Sequence, residues 1–323
     1  TCRYGAEMHW YGILDHDNVR RRRFDELVQE GQEFKTLMPE IKGSVPRVDV
    51  GILTELDQDH LWSTMSHELP GPYPQQKALF EALARRHYAV GMVDAKDELT
   101  GYRVLILPSF AKVDTELIAK LKAFVENGGR LLATAQLGTR DARNHKIPTT
   151  PPGGGLDELF GLRIIERGTT HEEPISINYS GKPGAYTDIY EIADLQGAES
   201  IASWIADREG EAIHQAAGHA ALTRNKFGQG EAWYFTSLAG AKTADDLVSF
   251  LAGHMPIEPL ASADLFVEIV VRQSDSRRYW FVLNHYPETK VVAGLPSGQD
   301  LLTDNEVPGM LELEPYGVAV IQG

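Results

Sequence analysis

The chain has 323 residues, a formal net charge of −15 at pH 7 and 42% hydrophobic residues, and this length is enough for two domains with separate cores. The acidic balance argues against nucleic acid and anionic membranes as partners, because phosphate-binding surfaces need clustered Lys and Arg. No stretch of the sequence approaches the roughly 18 consecutive apolar residues that cross a bilayer. With Cys2 as the single cysteine, an intramolecular disulfide is excluded, and we expect a reducing, cytoplasmic compartment.

Residues 1–45 predict a connector that is too short to form a domain. Met8, Trp10 and Tyr11 crowd its beginning with apolar and aromatic side chains, so we expect the sequence to be a piece of a longer polypeptide. A tight turn at 14–18 precedes a helical pattern that runs up to Pro39. The basic run within this helix, at residues 20–23, is interpreted as a solvated, salt-paired face.

Residues 46–160 alternate strand and helix patterns. Short apolar runs predict buried strands at 48–53, 89–93, 102–107 and 130–135, and helices are predicted at 75–87 and from the N-cap Asp114 onwards. This pattern predicts an open, mostly parallel, flavodoxin-like sheet with helices on both faces. The polar, Pro- and Gly-rich segment 138–155 is predicted to be a long loop at the end of a strand.

The remainder of the chain changes character twice. Residues 161–255 mix short strands and helices, with a hairpin at 221–235 that turns at 228–230 and a closing helix at 241–251. From about residue 258 onwards, short strands at 265–271, 279–284, 290–293 and 317–321 predict a small antiparallel β-sandwich.

The stretch from Gly5 to Asp17, with sequence Gly-Ala-Glu-Met-His-Trp-Tyr-Gly-Ile-Leu-Asp-His-Asp, resembles the end of the catalytic barrel in glycoside hydrolase family 42 β-galactosidases. The order of the later domains resembles the same family. The resemblance implies that residues 1–45 end a (β/α)₈ barrel. It also implies that 46–257 form a trimerisation domain like class I glutamine amidotransferases, and that 258–323 form a small C-terminal β domain.

The resemblance implies retaining hydrolysis of β-galactosides by two carboxylates about 5–5.5 Å apart. In the family both lie on barrel strands upstream of this motif, so we expect no catalytic residue here and an inactive isolated chain. Glu7 is implied to bind galactose hydroxyls, and Trp10 to line the sugar site. The implied partners are two further copies in a homotrimer, the catalytic barrel and, only with that barrel, a galactoside. The chain would then help to wall the active site, with no metal and no cofactor.

Two other functions remain open from the sequence. An amidotransferase-like enzyme would need a nucleophile on a sharp turn, and Ser109 is the nearest candidate, although it lacks the Gly-x-Ser-x-Gly context. A carbohydrate-binding protein could use the aromatic residues 279–281 and Tyr286. Adjacent strand residues face opposite sides, however, so core packing is favoured for them.

Residues 55–62 contain acidic, histidine and aromatic side chains that could imitate a metal site: Glu55, Asp57, Asp59, His60 and Trp62. We favour helix capping and domain contacts for them. His9 and His16 lack companion ligands at suitable spacing, so loop hydrogen bonding is favoured for both. The segments 55–73 and 138–155 are predicted to be long loops that carry the trimer contacts. The apolar residues in or directly beside these segments are Trp62, Met65, Leu69, Tyr73 and Leu137.

Overall fold

The computed structural model describes residues 12–65, 71–169, 175–179, 182–187, 189–207 and 210–323. The chain divides into two compact units, one of residues 48–259 and one that combines residues up to 47 with 260–323. The helices are α1 (Arg22–Ile41), α2 (Leu56–Met65), α3 (Pro72–Ala84), α4 (Thr115–Glu126), α5 (Leu156–Phe160), α6 (Glu211–Ala216) and α7 (Ala241–Ala252).

The strands of the first unit are β2 (Val50–Thr54), β3 (Val90–Asp94), β4 (Val104–Leu107), β5 (Arg130–Thr134), β6 (Leu162–Thr169), β7 (Ile175–Tyr179), β8 (Lys182–Thr187), β9 (Ile189–Leu195), β10 (Glu199–Ile205), β11 (Ala220–Phe227) and β12 (Gly230–Phe235). Those of the second unit are β1 (Val45–Pro46), β13 (Val267–Gln273), β14 (Arg278–Asn284), β15 (Lys290–Asp300), β16 (Glu306–Leu313) and β17 (Val318–Gln322).

The unit of residues 48–259 is built on a nine-stranded mixed sheet in the order β3-β2-β4-β5-β12-β11-β10-β7-β8. The first five strands in this order are parallel to their neighbours. From β12 onwards every pairing is antiparallel. Strands β6 and β9 form a separate antiparallel pair.

Both faces of the nine-stranded sheet are covered. On one face, α3 and α7 contribute Leu79, Leu83 and Leu247 to a core with the strand residues Ile52 and Ile106. On the other, α4, α5 and β6 pack their apolar side chains against the alternate residues of the same strands. Burial on both sides explains why these strands appear in the sequence as continuous apolar runs. The predicted α/β layering is therefore confirmed.

The hairpin of β11 and β12 shows how closely the chain turns against α4. Gly228 has φ +57°, and a Cβ at this position would lie 2.6 Å from the Cα of Glu126. A side chain here would meet both backbone strain and a steric clash, so the turn that the sequence predicts at 228–230 depends on glycine.

Two element predictions are wrong. The segment 55–65, predicted as loop, is largely the helix α2, and α1 continues past Pro39 to Ile41. In α2 the apolar pattern is weak because acidic residues fill its first turn, and contacts with distant residues support the helix. In α1 the proline removes one backbone hydrogen bond of the last turn, and the helix ends two residues later.

The second unit combines α1 and β1 with the strands β13 to β17. Its six strands form one continuous antiparallel sheet in the order β1-β13-β14-β17-β15-β16. The predicted antiparallel domain is confirmed, but the strands do not separate into the two hydrogen-bonded sheets that the word sandwich implies. Leu37 of α1 packs on Tyr279 and Val320, and the Tyr279 hydroxyl donates a hydrogen bond to the Glu40 carbonyl at 2.7 Å.

Strand alternation separates the aromatic residues of β14. Tyr279 and Phe281 belong to the cluster beside α1, whereas Trp280 packs against the core on the opposite face, which includes Val282. As the sequence predicts, the three rings therefore do not lie on one face of the sheet. Within the described parts of the chain, no helix combines the length and apolar character needed to cross a membrane.

Candidate functional site

In open α/β sheets, ligands bind outside the carboxyl ends of the strands, where the strand order reverses. Here that point lies between β2 and β4. The residue that follows β4 and its proline is Ser109, which is fully buried and has φ +47°. A left-handed backbone at a serine is strained, and no feature of the sequence pattern predicts it.

The Ser109 hydroxyl is held by other side chains. Gln75 of α3 donates to its Oγ at 2.8 Å, and the Ser109 amide donates to Thr134 Oγ1 at 2.8 Å. Gln75 Oε1 accepts from Thr134 Oγ1 and from the Ala239 amide, both at 3.0 Å. An amide and a hydroxyl are not bases that could activate a nucleophile. The contacts therefore describe a buried polar network that ties α3 to the ends of β4 and β5.

The acidic residues before and within α2 surround one lysine. The Lys112 ammonium lies 2.9 Å from a Glu55 oxygen and 2.8 Å from an Asp57 oxygen. Burial works against the charged ammonium, but hydrogen bonds to Asp57 and Glu55 outweigh it and raise the pKa of Lys112. The same contact lowers the pKa of Asp57. Gln58 completes the cluster by bonding the Lys112 backbone through both its amide oxygen and its amide nitrogen.

Asp59 has a capping role instead. Its carboxylate accepts a hydrogen bond at 3.1 Å from the amide of Tyr73, in the first turn of α3. The four orphan amides at a helix start are normally satisfied in this way. No group of three or more His, Cys, Asp or Glu side chains that could hold a metal ion occurs among the described residues, and the observed contacts favour the capping interpretation.

A buried carboxylate on β9 is the main polar feature that sequence reasoning missed. Glu191 is 0% exposed and lies 2.6 Å from the Arg167 guanidinium. It also accepts hydrogen bonds from the Tyr234 hydroxyl at 2.7 Å and from the backbone amide of Gln136 at 3.1 Å. Burial, followed by the neighbouring Glu191 carboxylate, holds the pKa of Tyr234 well above its usual range. In the sequence, the only indication of this buried carboxylate is a lone glutamate within the apolar run Ile189–Leu195.

The predicted sugar-binding residues, Glu7 and Trp10, and also His9, lie outside the described residues. Their roles stay predictions. His16 is described and has a partner.

The predicted interface residues separate into two groups. Trp62 is only 4% exposed and packs with Ala135 and Leu238, and Leu137 is fully buried. These two side chains belong to the core of their own unit, so the prediction that they form an interface is wrong. Tyr73 is 64% exposed and stays available. Leu69 and the side chain of Met65 fall outside the description.

Models of known protein families match parts of both units. The family model described as "Beta-galactosidase trimerisation domain" matches residues 50–258, which is well over half of the chain. The model described as "Beta-galactosidase C-terminal domain" matches residues 267–323.

Curated relatives extend this similarity over the whole chain. The β-galactosidase BgaA of Clostridium cellulovorans is 28% identical over 322 residues, which are 98% of this chain and 47% of that protein. The β-galactosidase BgaP of Planococcus sp. strain L4 is also 28% identical, over 98% of this chain and 48% of that protein. The chain thus spans about half the length of the curated relatives that it matches.

Solved structures show the same fold. Gan42B, a GH42 β-galactosidase from G. stearothermophilus, superposes with a TM-score of 0.88 at 24% identity, over 99% of this chain and 47% of that chain. The β-galactosidase from Bacillus circulans sp. alkalophilus gives a TM-score of 0.85 at 22% identity, over 96% of this chain and 46% of the other. From the two family models, the chain belongs to the glycoside hydrolase family 42 β-galactosidases and comprises their trimerisation and C-terminal domains.

Proposed function

We propose that this chain is the non-catalytic, oligomerising part of a retaining β-galactosidase. It joins three subunits and supports a catalytic barrel formed by residues outside this sequence. The observation that carries the proposal is the match of the trimerisation-domain model to residues 50–258. The relatives are named β-galactosidases and are about twice as long as this chain. A chain of half that length leaves room for a barrel of about 250 residues elsewhere.

The proposal includes the finer fold assignment. We assign residues 46–257 to the flavodoxin-like folds, as in class I glutamine amidotransferases. Numbered along the chain, the parallel strands β2, β3, β4, β5 and β12 have the spatial order 2-1-3-4-5, which is the flavodoxin-like order. The strained turn at Ser109 lies where such a fold would place a nucleophile. In this chain that position serves packing, because the hydroxyl is buried and bonded to Gln75.

For the sugar site, we propose that Glu7 binds galactose hydroxyls and that Trp10 lines the pocket once the barrel is present. A carboxylate suits this role because it can accept hydrogen bonds from two adjacent hydroxyls. The middle domain then helps to wall the active site. A cytoplasmic location is part of the same proposal, supported by one cysteine in 323 residues and tested by cell fractionation.

The test of this proposal is the mass of the chain in solution. Light scattering coupled to size-exclusion chromatography should give a mass of three protomers of 35.8 kDa each, at concentrations from about 1 to 100 µM. A mass of one protomer throughout that range would contradict the assembly role. An amidotransferase-like or carbohydrate-binding protein is the alternative, and the buried Ser109 hydroxyl and the dispersed aromatic residues of β14 speak against it.

A further inference from the structure

The connection between β3 and β4 is short for the path that it takes. Both strands are parallel neighbours of β2, so the chain crosses β2 between them. Residues 95–103 make this crossing without a helix, although a parallel crossover normally takes a dozen or more residues and includes one. Leu99 of the connection packs into the core that α4 covers. The connection therefore covers less of the sheet beside α4 than a helix would.

A cleft of about 610 Å³ lies between this connection and the end of α4. It is lined by residues 98–103 on one side and by residues of 120–129 on the other. Residues 103 and 129 directly precede β4 and β5, so the cleft opens at the amino ends of the parallel strands, whereas Ser109 lies at their carboxyl ends. Its volume is within the range of about 300–1,000 Å³ that small-molecule sites have.

Two aromatic rings supply much of the apolar lining of the cleft. Tyr102 and Phe124 both line it and are only partly buried, with one side packed on the core. A Cβ at Gly51 would lie 3.3 Å from Cδ1 of Tyr102, and a Cβ at Gly129 would overlap the Phe124 ring. Each ring therefore packs against the backbone of a glycine and presents its remaining surface to the cleft.

The polar side chains around these rings include both donors and acceptors. Arg103 donates one hydrogen bond, to the Pro256 carbonyl at 3.2 Å, and forms no ion pair within the described chain. Glu98 and Thr100 also line the cleft, and the described residues give neither side chain a hydrogen bond. A guanidinium only donates, a carboxylate only accepts and a hydroxyl does both. The cleft can thus satisfy a ligand that both donates and accepts.

The charges in the lining favour a neutral ligand. Lys120 already binds Glu116 and the carbonyls of residues 96 and 97, so its ammonium is matched. Glu98 and Arg103 carry opposite charges. Phosphate and carboxylate ligands are held by cations that are free to pair with them, and this lining has no excess of such cations.

We propose that this cleft binds a neutral sugar ring. The C–H groups on one face of a sugar form an apolar surface that packs on Tyr102 and Phe124. Its hydroxyls, which both donate and accept, bind Glu98 and Arg103. The choice of a galactoside among neutral rings rests on the proposed function. The site does not use the aromatic residues of β14, which pack in the other unit.

The experiment titrates the purified chain with methyl β-galactoside and follows binding by ligand-detected NMR. A ligand of about 13 non-hydrogen atoms in an open cleft should bind with a Kd of about 1–10 mM. Tyr102→Leu and Phe124→Leu keep an apolar side chain but remove the ring, and each should weaken binding at least ten-fold. The matched control is Tyr73→Leu, because Tyr73 is 64% exposed and lies outside the cleft. It should leave the Kd unchanged.

Circular dichroism checks that each variant folds. If a ring variant does not fold, Glu98→Ala combined with Arg103→Ala gives the same comparison at two exposed positions, with no change in net charge. This double variant should also weaken binding at least ten-fold.

Each other outcome contradicts the inference. No binding by the unmodified chain up to about 100 mM, ten times the weakest expected Kd, shows that the cleft takes no galactoside. Equal binding by the unmodified chain and the folded cleft variants shows that the sugar binds elsewhere. A nucleobase is the other neutral ring that stacks on aromatic side chains. If adenosine binds through Tyr102 and Phe124 and the galactoside does not, the ligand class is wrong.

The mass of the chain in solution keeps this inference separate from the proposed function. A trimer that does not bind the galactoside leaves the proposed function standing and removes only the sugar site. A monomer that binds the galactoside through the cleft keeps the sugar site and contradicts the assembly role.

Discussion

At the scale of single residues, the chain offers two Glu–Arg pairs with the same spacing and different burial. Glu191 and Arg167 lie 2.6 Å apart with the glutamate fully buried, and Glu199 and Arg224 also lie 2.6 Å apart with the glutamate 59% exposed. A buried charge has lost its hydration and depends on its partners, whereas an exposed charge keeps water as an alternative. The two pairs therefore separate the effect of burial from the effect of distance.

We expect Glu191→Gln to lower the free energy of unfolding by about 2 kcal/mol. Breaking a fully buried pair costs about 3–5 kcal/mol. We expect a smaller cost here because the Arg167 side chain is 33% exposed and can be rehydrated. Urea unfolding of the purified chain measures the change. The control, Glu199→Gln, should cost far less, because solvent screens an exposed ion pair. Equal effects of the two substitutions would show that burial of the Glu191 carboxylate does not add to its contribution to stability.

At the scale of elements, α4 begins with an N-cap that both the sequence and the structure identify. Asp114 accepts a hydrogen bond from the Leu117 amide at 2.8 Å. In contrast, the glycines that precede α3 and α7 make no side-chain cap. Leu117, Leu121 and Val125 of α4 are buried against the sheet, so loss of the cap would loosen an element that covers one face of the domain.

We expect Asp114→Ala to destabilise the chain by about 1 kcal/mol, the usual cost of removing an N-cap. Thermal unfolding at one protein concentration measures it, since the assembly state also affects the midpoint. Glu116→Ala is the comparison in the same turn. Its side chain is 76% exposed and pairs with Lys120, and solvent screening makes the contribution of such a pair small. A larger loss for Glu116→Ala than for Asp114→Ala would contradict the capping argument.

The elements that the sequence predicts well are those whose signals are local. β2, β4 and β5 are short apolar runs buried on both faces, and α4 has both a cap and a regular apolar stripe. The sequence does not predict β16, because Pro308 and Gly309 interrupt its pattern, and it does not predict α2, because distant residues support that helix. The buried Glu191 has partners 24 and 43 residues away in the sequence. Pairings over such distances leave no periodic trace, so the fold was more predictable than its polar contacts.

At the scale of the whole molecule, each of the two units is matched by a family model of the β-galactosidases. Among the described residues, buried polar networks surround Ser109 and Glu191. In both networks the polar groups pair with other groups of the protein. In the acidic cluster at the start of α2, Glu55 and Asp57 share the single Lys112 ammonium. A buried polar network whose groups are all paired rigidifies the elements that it joins. Rigid networks of this kind are consistent with the assembly role proposed above.

The last prediction concerns activity. We expect the purified chain to give no turnover of a chromogenic aryl β-galactoside above the blank. Retaining hydrolysis needs two carboxylates about 5–5.5 Å apart, and the resemblance places both on the barrel. A version that includes the barrel should be active, and Glu7→Gln in that version should lower kcat/KM roughly ten- to a hundred-fold, because hydrogen bonds to a charged group strengthen transition-state binding.

The control for Glu7 is Glu26→Gln in the same barrel-containing protein. Glu26 pairs on the surface of α1 with Arg22 and is 57% exposed, so kcat/KM should stay unchanged. Turnover by the isolated chain that is lost on changing one of its own carboxylates would refute the non-catalytic assignment. Unchanged kinetics of the Glu7→Gln enzyme would instead reject only the sugar-binding role. The two results are independent, because the first concerns where the reacting carboxylates lie and the second how the sugar is held.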